Sequence, residues 1–469
     1  MKINDLIINL KKDNEVSKKR SLNNSASKVI DINNVLRNSF IQKTNDSFET
    51  KEEKKSNLKI IGITGSRGKS TVAYLTHQYL KEKGYKSILY SSIMIDSKIS
   101  YISSDEAVEN PLRDERMLLD ALTDAIEYDA DFLILEVNEA AIKKGLTKNI
   151  PFDLRMITNI YPKHNIILYP DYVDLKKEFF KEVEDKSVKF IIGTSDASNF
   201  DELMEINKQN ERITYSSKWV SEHKNIDVDV KFYSKTTLDT MNGLDITVLY
   251  KENEYDIKTS LLFPFNAENI TGCVTLLEAL NVYDYDFFKL FIQDIKIKGR
   301  DTHIKVNNSH IIISLHSAPH LELFKKYKEL NYLSKIKVVT GETGLGHYSW
   351  DKEHNEDNLV LDKVDSIGFN MKYMNNNADF VYLTTSDSGA TNKDDFLDYQ
   401  ASLLNVAFIK ISDRRQAIIE AINGLMDNEV LFIYGRGNRR VMCDGYDSIL
   451  LHQDYEVVKE ALRQKEKMQ

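Results

Sequence analysis

Residues 58–73 read LKIIGITGSRGKSTVA. An apolar run leads into Thr64-Gly65-Ser66-Arg67-Gly68-Lys69-Ser70-Thr71, and a helical pattern follows. A strand feeding a glycine turn into a helix N-terminus is a phosphate cradle, because backbone N–H groups and the positive helix end face the anion. Gly65 and Gly68 can take turn dihedrals that a Cβ would forbid, and they let a phosphate approach the backbone. Lys69 supplies a point charge for the β- and γ-phosphates, and the hydroxyl of Ser70 or Thr71 can hold Mg²⁺. The strict G-x-x-x-x-G-K-[ST] spacing is not met, because Ile63 occupies the place of the first glycine.

Working outward, residues 1–57 are weakly patterned. IDINNVLRNSFI reads as a short amphipathic helix, and KTNDSFETKEEKKSN reads as a charged linker. C-terminal to the loop, strands and helices alternate. Val72, Leu75, Tyr79 and Leu80 share one face of a helix over 69–83, and residues 87–90 form the next strand. Residues 111–128 predict a helix opening on Pro111, followed by a buried strand over 131–137. A strand over 154–160 and a helix over 171–183 come next. This alternation implies an α/β, doubly wound parallel sheet whose ligands bind at the carboxyl ends of its strands. Between about 227 and 262 the apolar period changes to two, as in antiparallel strands, with Asn242-Gly243 as a turn. A helix over 266–280 and a second α/β pattern after IKIKGRDTHIKV follow, with strands near 310–315, 336–340, 378–384, 407–411 and 430–434. Helices are expected over 319–330, 414–426 and 455–465 in that second pattern. The domains are expected at 58–298 and 299–469.

The totals bound the function. The chain has 469 residues, 42% hydrophobic and 29% charged, ordinary for globular domains. Its net charge of −9 argues against a nucleic-acid footprint. Two cysteines, far apart, exclude a disulfide scaffold or a Cys-rich zinc site and fit a reducing, cytoplasmic setting. No apolar run is long enough to span a bilayer, and MKINDLIINLKKDNE carries no cleavage-site pattern.

Several further residues carry candidate chemistry. Glu136 ends an apolar strand expected beside the phosphate strand, where a carboxylate holds Mg²⁺ directly or through water. The plainer alternative is an acid capping the next helix. His164 lies in a loop after LRMITNI, and a lone loop histidine is more often solvated than a ligand. Lys176 falls in DYVDLKKEFF, where a lysine is ordinarily helix surface. Asn266 and Asn269 begin a helix, and capping alone accounts for one of them. Arg300 follows Gly299, either as a boundary turn residue or as a cation for a transferring phosphoryl group. Arg414, Arg415 and Arg436 are candidate forks for an amino-acid carboxylate, the commoner reading being surface arginines.

The order TGSRGKST, LEVNEAA, FDLRMITNIYPKHNIILYPDYVDLKKEFF, PFNAENITGCVTLLEAL and IKGRDTHIKV resembles the Mur ligase family, and most closely the UDP-MurNAc-tripeptide synthetase branch. The resemblance implies a P-loop central ATPase domain followed by a smaller Rossmann-like C-terminal domain. It also implies ATP and Mg²⁺ as cofactors. In the implied reaction a carboxylate acceptor attacks the γ-phosphate, and an amino acid or other amine then displaces phosphate to form an amide. By position, Gly65, Ser66, Arg67, Gly68, Lys69, Ser70 and Thr71 match the phosphate loop, and Glu136 and His164 match magnesium ligands. Lys176 matches a lysine that many members carbamylate and use for a second magnesium. Asn269 matches an adenine contact, and Arg300 an interdomain arginine. The chain also departs from the pattern. Ser66-Arg67 stand in place of Thr-Asn, so that RGKST and the Tyr434–Asn438 stretch YGRGN resemble poly-γ-glutamate synthases. Asn138-Glu139-Ala140 replace Ser-Ser-His, and Lys163 replaces an aspartate. The stretch TTSDSGATN stands where Asp-Asn-Pro-Arg is usual. The 57 residues before the loop are too few for the usual UDP-sugar domain. A polymerase of the same chemistry and a nucleotide-binding partner subunit with impaired catalysis are the alternatives.

Overall fold

A computed structural model describes residues 58–99, 103–104, 107–108, 110–148, 150–161, 167–181, 183, 185–194, 197–217, 232–250, 252–315, 318–344, 356–387, 392–443 and 449–468. The amphipathic helix and linker expected before residue 58, and His164, lie outside these residues. The chain divides into two compact units at Ile295/Lys296.

The first unit is built on one ten-stranded sheet. Its strands are β1 (Lys59–Thr64), β2 (Ser87–Tyr90), β3 (Ile95–Asp96), β4 (Phe132–Glu136), β5 (Leu154–Ile157), β6 (Lys189–Gly193), β7 (Arg212–Ser217), β8 (Phe232–Thr240), β9 (Gly243–Tyr250) and β10 (Asn253–Thr259). Their spatial order is β10-β9-β8-β7-β6-β5-β1-β4-β2-β3. β1 lies between β4 and β5 and runs parallel to both. Strands covered on both faces need continuous apolar runs, and β2, β4 and β5 are buried at every position. The register pairs Ile63 with Glu136 and Thr64 with Ile157. The glycine loop, the end of β4 and the end of β5 therefore emerge on one edge.

Helix Lys69–Glu82 runs back from that edge with Val72, Leu75, Tyr79 and Leu80 fully buried. It packs against helix Phe265–Ala279, which is buried almost all round and so shows little amphipathic pattern. The period-two segment forms the antiparallel ladder β8–β9–β10, as its alternation requires. It extends the same sheet, because β8 pairs in parallel with β7. The helix expected from Pro111 begins instead at Glu115, because Asp114 adopts extended backbone and its carboxylate accepts the N–H of Met117.

The second unit carries a six-stranded sheet. Its strands are β11 (Thr302–Val306), β12 (Ser309–Ser314), β13 (Lys335–Thr340), β14 (Phe380–Leu383), β15 (Phe408–Lys410) and β16 (Glu429–Tyr434), in the order β11-β12-β16-β13-β14-β15. Only the β11–β12 pair is antiparallel within that sheet. Ile311, Ile313, Val339, Leu431 and Ile433 pack with Ile418, Ile422 and Val458 in its core. Helix Glu356–Asn377 escapes sequence reading; among its described side chains the buried ones are Ile367, Asn370, Met371 and Met374, a narrow stripe that includes a polar residue. Among the described residues no helix is long and apolar enough to cross a membrane.

Candidate active site

The loop after β1 takes the conformation its glycines permit. Gly65 has φ 138° and Gly68 φ 83°. A Cβ on Gly65 would lie 2.0 Å from Thr158 Oγ1, and one on Gly68 would lie 2.4 Å from Asn269 Oδ1. Helix Lys69–Glu82 opens at Gly68 without a side-chain cap, an arrangement suited to anion binding at the helix N-terminus. The end of β5 ties the loop down. The backbone N–H of Ser66 donates to Asn159 O at 2.9 Å, and that of Arg67 to Asn159 Oδ1 at 2.8 Å. Thr158 Oγ1 donates back to Arg67 O at 2.6 Å. Ser66 Oγ accepts from the Tyr161 N–H and the Tyr172 hydroxyl, each at 2.8 Å. Gly65→Ala is expected to destabilise the first unit by roughly 1–3 kcal/mol and to abolish nucleotide binding, because overpacking and a strained φ coincide. Urea denaturation and ATP titration check this.

Lys69 is half-buried and folds over the loop, donating to Gly65 O at 2.8 Å and Ser66 O at 3.3 Å. Ser70 Oγ donates to Glu136 Oε1 at 2.9 Å. Glu136 is 4% exposed and also accepts from Ser92 Oγ at 3.2 Å, Ser91 Oγ at 2.6 Å and the Ser92 N–H at 2.7 Å. Hydroxyl and carboxylate oxygens form a hard donor set. Mg²⁺ binds protein through one or two such oxygens and completes its shell with water and substrate phosphates. Ser91 and Ser92 escape sequence reading, since only the β2–β4 pairing brings them to Glu136.

Lys176 is completely buried rather than on a solvated helix surface. Its Nζ is 3.1 Å from Thr64 Oγ1 and 3.1 Å from Glu139 Oε2, with the Tyr172 ring centroid at 5.4 Å. Burial pushes the Lys176 amine down to about 8, with Glu139 partly offsetting this. Burial alone would raise the Glu139 carboxyl, but Lys176 and then Lys69 hold it well below the usual carboxylate range. Glu139 was not among the candidates read from the sequence. The only signal for it there was its place in Asn138-Glu139-Ala140, where Asn138 caps the short helix Glu139–Lys143. The neighbouring Lys177 is also buried, pairing with Glu202.

The remaining candidates are dispersed. Arg67 is exposed, with its guanidinium 5.7 Å from the Tyr161 ring centroid. Thr71 is half-buried in the first helical turn. Asn266 and Asn269 do not cap their helix: Pro264 is the N-cap, and Asn269 Nδ2 donates to Asn266 Oδ1 at 2.8 Å inside the helix. Arg300 belongs to the second unit, half-buried in the bend between Gly299 and Asp301, both at positive φ. The arginine forks are corrected most clearly. Arg414 and Arg436 are fully buried and paired with Asp454 and Asp387, so neither is a surface residue; Arg415 pairs with Glu460.

Residues 63–277 match the family model for the Mur ligase middle domain. The chain is 22% identical over 416 residues to the UDP-N-acetylmuramoyl-L-alanyl-D-glutamate–2,6-diaminopimelate ligase of Chlamydia muridarum, covering 86% of this chain and 78% of the relative. It is 24% identical over 392 residues to the corresponding L-lysine ligase of Streptococcus pneumoniae, covering 81% and 72%. Among solved structures, a MurF ligase from Thermotoga maritima in complex with ADP superimposes with a TM-score of 0.58 at 12% identity, covering 94% of this chain and 87% of that one. A folylpolyglutamate synthase from Thermotoga maritima gives 0.56 at 15%, covering 86% and 93%.

Proposed function

The chain carries a Mur ligase middle domain, and on that premise we propose that it is an ATP-dependent carboxylate–amine ligase acting through an acyl phosphate. The observation that carries this reading is the single row of Lys69, Ser70 and Glu136 at the carboxyl edge of β1 and β4, with Lys176 and Glu139 alongside. On ATP binding, Lys69 exchanges the Gly65 and Ser66 carbonyls for phosphate oxygens. The tethers from Asn159, Thr158 and Tyr172 hold the loop rigid and use the N–H groups of Ser66 and Arg67, so that the uncapped helix N-terminus at Gly68 needs no reorganisation to receive a phosphate. Ser70 and Glu136 would hold Mg²⁺, which would supply charge neutralisation at the phosphates. An oxygen of the acceptor carboxylate attacks the γ-phosphorus and ADP leaves. The amine then attacks the acyl carbon and phosphate leaves. Arg300 is proposed to offset charge on the transferring phosphoryl group, and Asn269 to contact the adenine.

The relatives' names point to an amino acid such as diaminopimelate or lysine as the amine, with a peptidyl carboxylate as acceptor. ATP dependence is the reason to assign the reaction to the cytoplasm. Phosphate release screened against amino acids paired with candidate carboxylates tests the proposal; release independent of both substrates would refute it. The Ser66-Arg67 loop and the folylpolyglutamate synthase likeness favour a second reading, a polymerase that repeats the step. Product length on a gel separates the two. Glu136→Gln keeps the side-chain shape and removes the charge. It is expected to raise the Mg²⁺ concentration for half-maximal phosphate release about 10–100-fold, read from a Mg²⁺ titration.

A further inference from the structure

Family resemblance implies a carbamate on Lys176, and the residues around its Nζ do not fit one. Carbamylation joins the lysine nitrogen to the carbon of CO₂, releases two protons from the ammonium form and replaces a cation by an anion. The new group needs room for three heavy atoms and partners for its negative charge. Lys176 Nζ is instead fully buried, 3.1 Å from Thr64 Oγ1 and 3.1 Å from Glu139 Oε2. Thr64 Oγ1 in turn donates to Val137 O at 2.8 Å, so that hydroxyl is fixed in place. The Tyr172 ring closes another side of the amine. A carbamate here would face the Glu139 carboxylate at hydrogen-bond range while removing the cation that pairs with it. Two like charges in a site shielded from water repel strongly.

Glu139 already provides what a carbamate would bring, an anionic oxygen pair at this place. It is 8% exposed and carried by helix Glu139–Lys143, which begins three residues after Glu136. It stands in Asn138-Glu139-Ala140, just after the β4 strand that ends on Glu136. We infer that in this protein Glu139 supplies the carboxylate of the second cation subsite and that Lys176 works as an unmodified lysine positioning it. Lys176 and Thr64 fix the orientation of Glu139, and the anion is present without dissolved CO₂. The inference rests on the ligase reading for what the subsite does, but not for its central claim, which concerns the covalent state of one side chain.

The test uses the full-length protein with Mg²⁺ and ADP in ¹³C-bicarbonate. ¹³C NMR reads any protein-bound carbamate, and alkylative trapping with peptide mass spectrometry reads the Lys176 side chain. No label at Lys176 is expected, and phosphate release in CO₂-depleted buffer should equal that in bicarbonate. A label lost in Lys176→Ala, or activity that requires bicarbonate, would overturn the inference. Because the label is read without turnover, failure of the ligase reading leaves this result interpretable. Glu139→Gln separates a functional role from a structural one. Its kcat per folded molecule should fall roughly 100-fold with the KM for ATP little changed; the thermal midpoint falls as well, because Lys176 loses its buried partner, and bicarbonate should not restore kcat. Full kcat in Glu139→Gln, or rescue by bicarbonate, overturns the assignment.

Discussion

Lys69→Ala is expected to lower substrate-dependent phosphate release about 10³-fold, the scale of losing one preorganised charge at a transferring group. The reason is local. Lys69 is the loop's own cation, poised over the carbonyls of Gly65 and Ser66 on the phosphate-facing side of the turn. Among the described cations beside the loop, Arg67 is exposed next to Tyr161 and Lys176 is engaged with Glu139 and Thr64. Stability should change little, since Lys69 donates only to two carbonyls of its own loop. Steady-state phosphate release together with a thermal melt checks both halves. A variant with wild-type turnover would remove the basis of the ligase mechanism.

Asp454→Asn is expected to destabilise the second unit by about 3–5 kcal/mol, the cost of stranding one member of a buried ion pair. Arg414 and Asp454 are both 0% exposed. Arg414 Nε and Nη2 reach the two carboxylate oxygens at 2.9 and 2.8 Å, and Nη2 also donates to Tyr434 O at 3.1 Å. His452 Nε2 lies 2.8 Å from Asp454 Oδ1. Burial alone would raise the Asp454 carboxyl, but Arg414 outweighs it and holds the group well below the usual carboxylate range. A carboxyl depressed in the folded state stabilises fully above its unfolded pKa of about 3.9. That contribution is lost as pH falls from there through the folded value. Urea midpoints of the second unit should therefore decline below about pH 4 in the wild type. The Asp454→Asn variant, already weaker at neutral pH, should lack this component of the decline. Equal stability of the two proteins at pH 7 would contradict the assignment.

Much of the fold was legible because its signals are contiguous. The run LKIIGIT followed by GSRGKS specifies a strand, a turn at positive φ and a helix start within a few residues. Period-two alternation gave β9 and β10 in the same way. What was missed carried weak local signals. β7 is mostly polar in sequence, RITYSS, and the described part of helix Glu356–Asn377 buries few apolar side chains. The arginines were misread because sequence supplies no partner: Arg414 finds Asp454 forty residues on.

The sequence by itself determined the strand–glycine turn–helix conformation after β1 and the α/β class, since spacing within one stretch fixes backbone conformation. Only the tertiary structure decided which acids and hydroxyls surround that loop. Ser91 and Ser92 reach Glu136 because β2 pairs with β4, and Asn159 reaches Arg67 because β5 pairs with β1. The short helix after β4 carries Glu139 to Lys176, thirty-seven residues away in the chain. Such meetings follow from strand order and register, which come from burial of whole apolar faces and leave no mark at the polar residues they bring together.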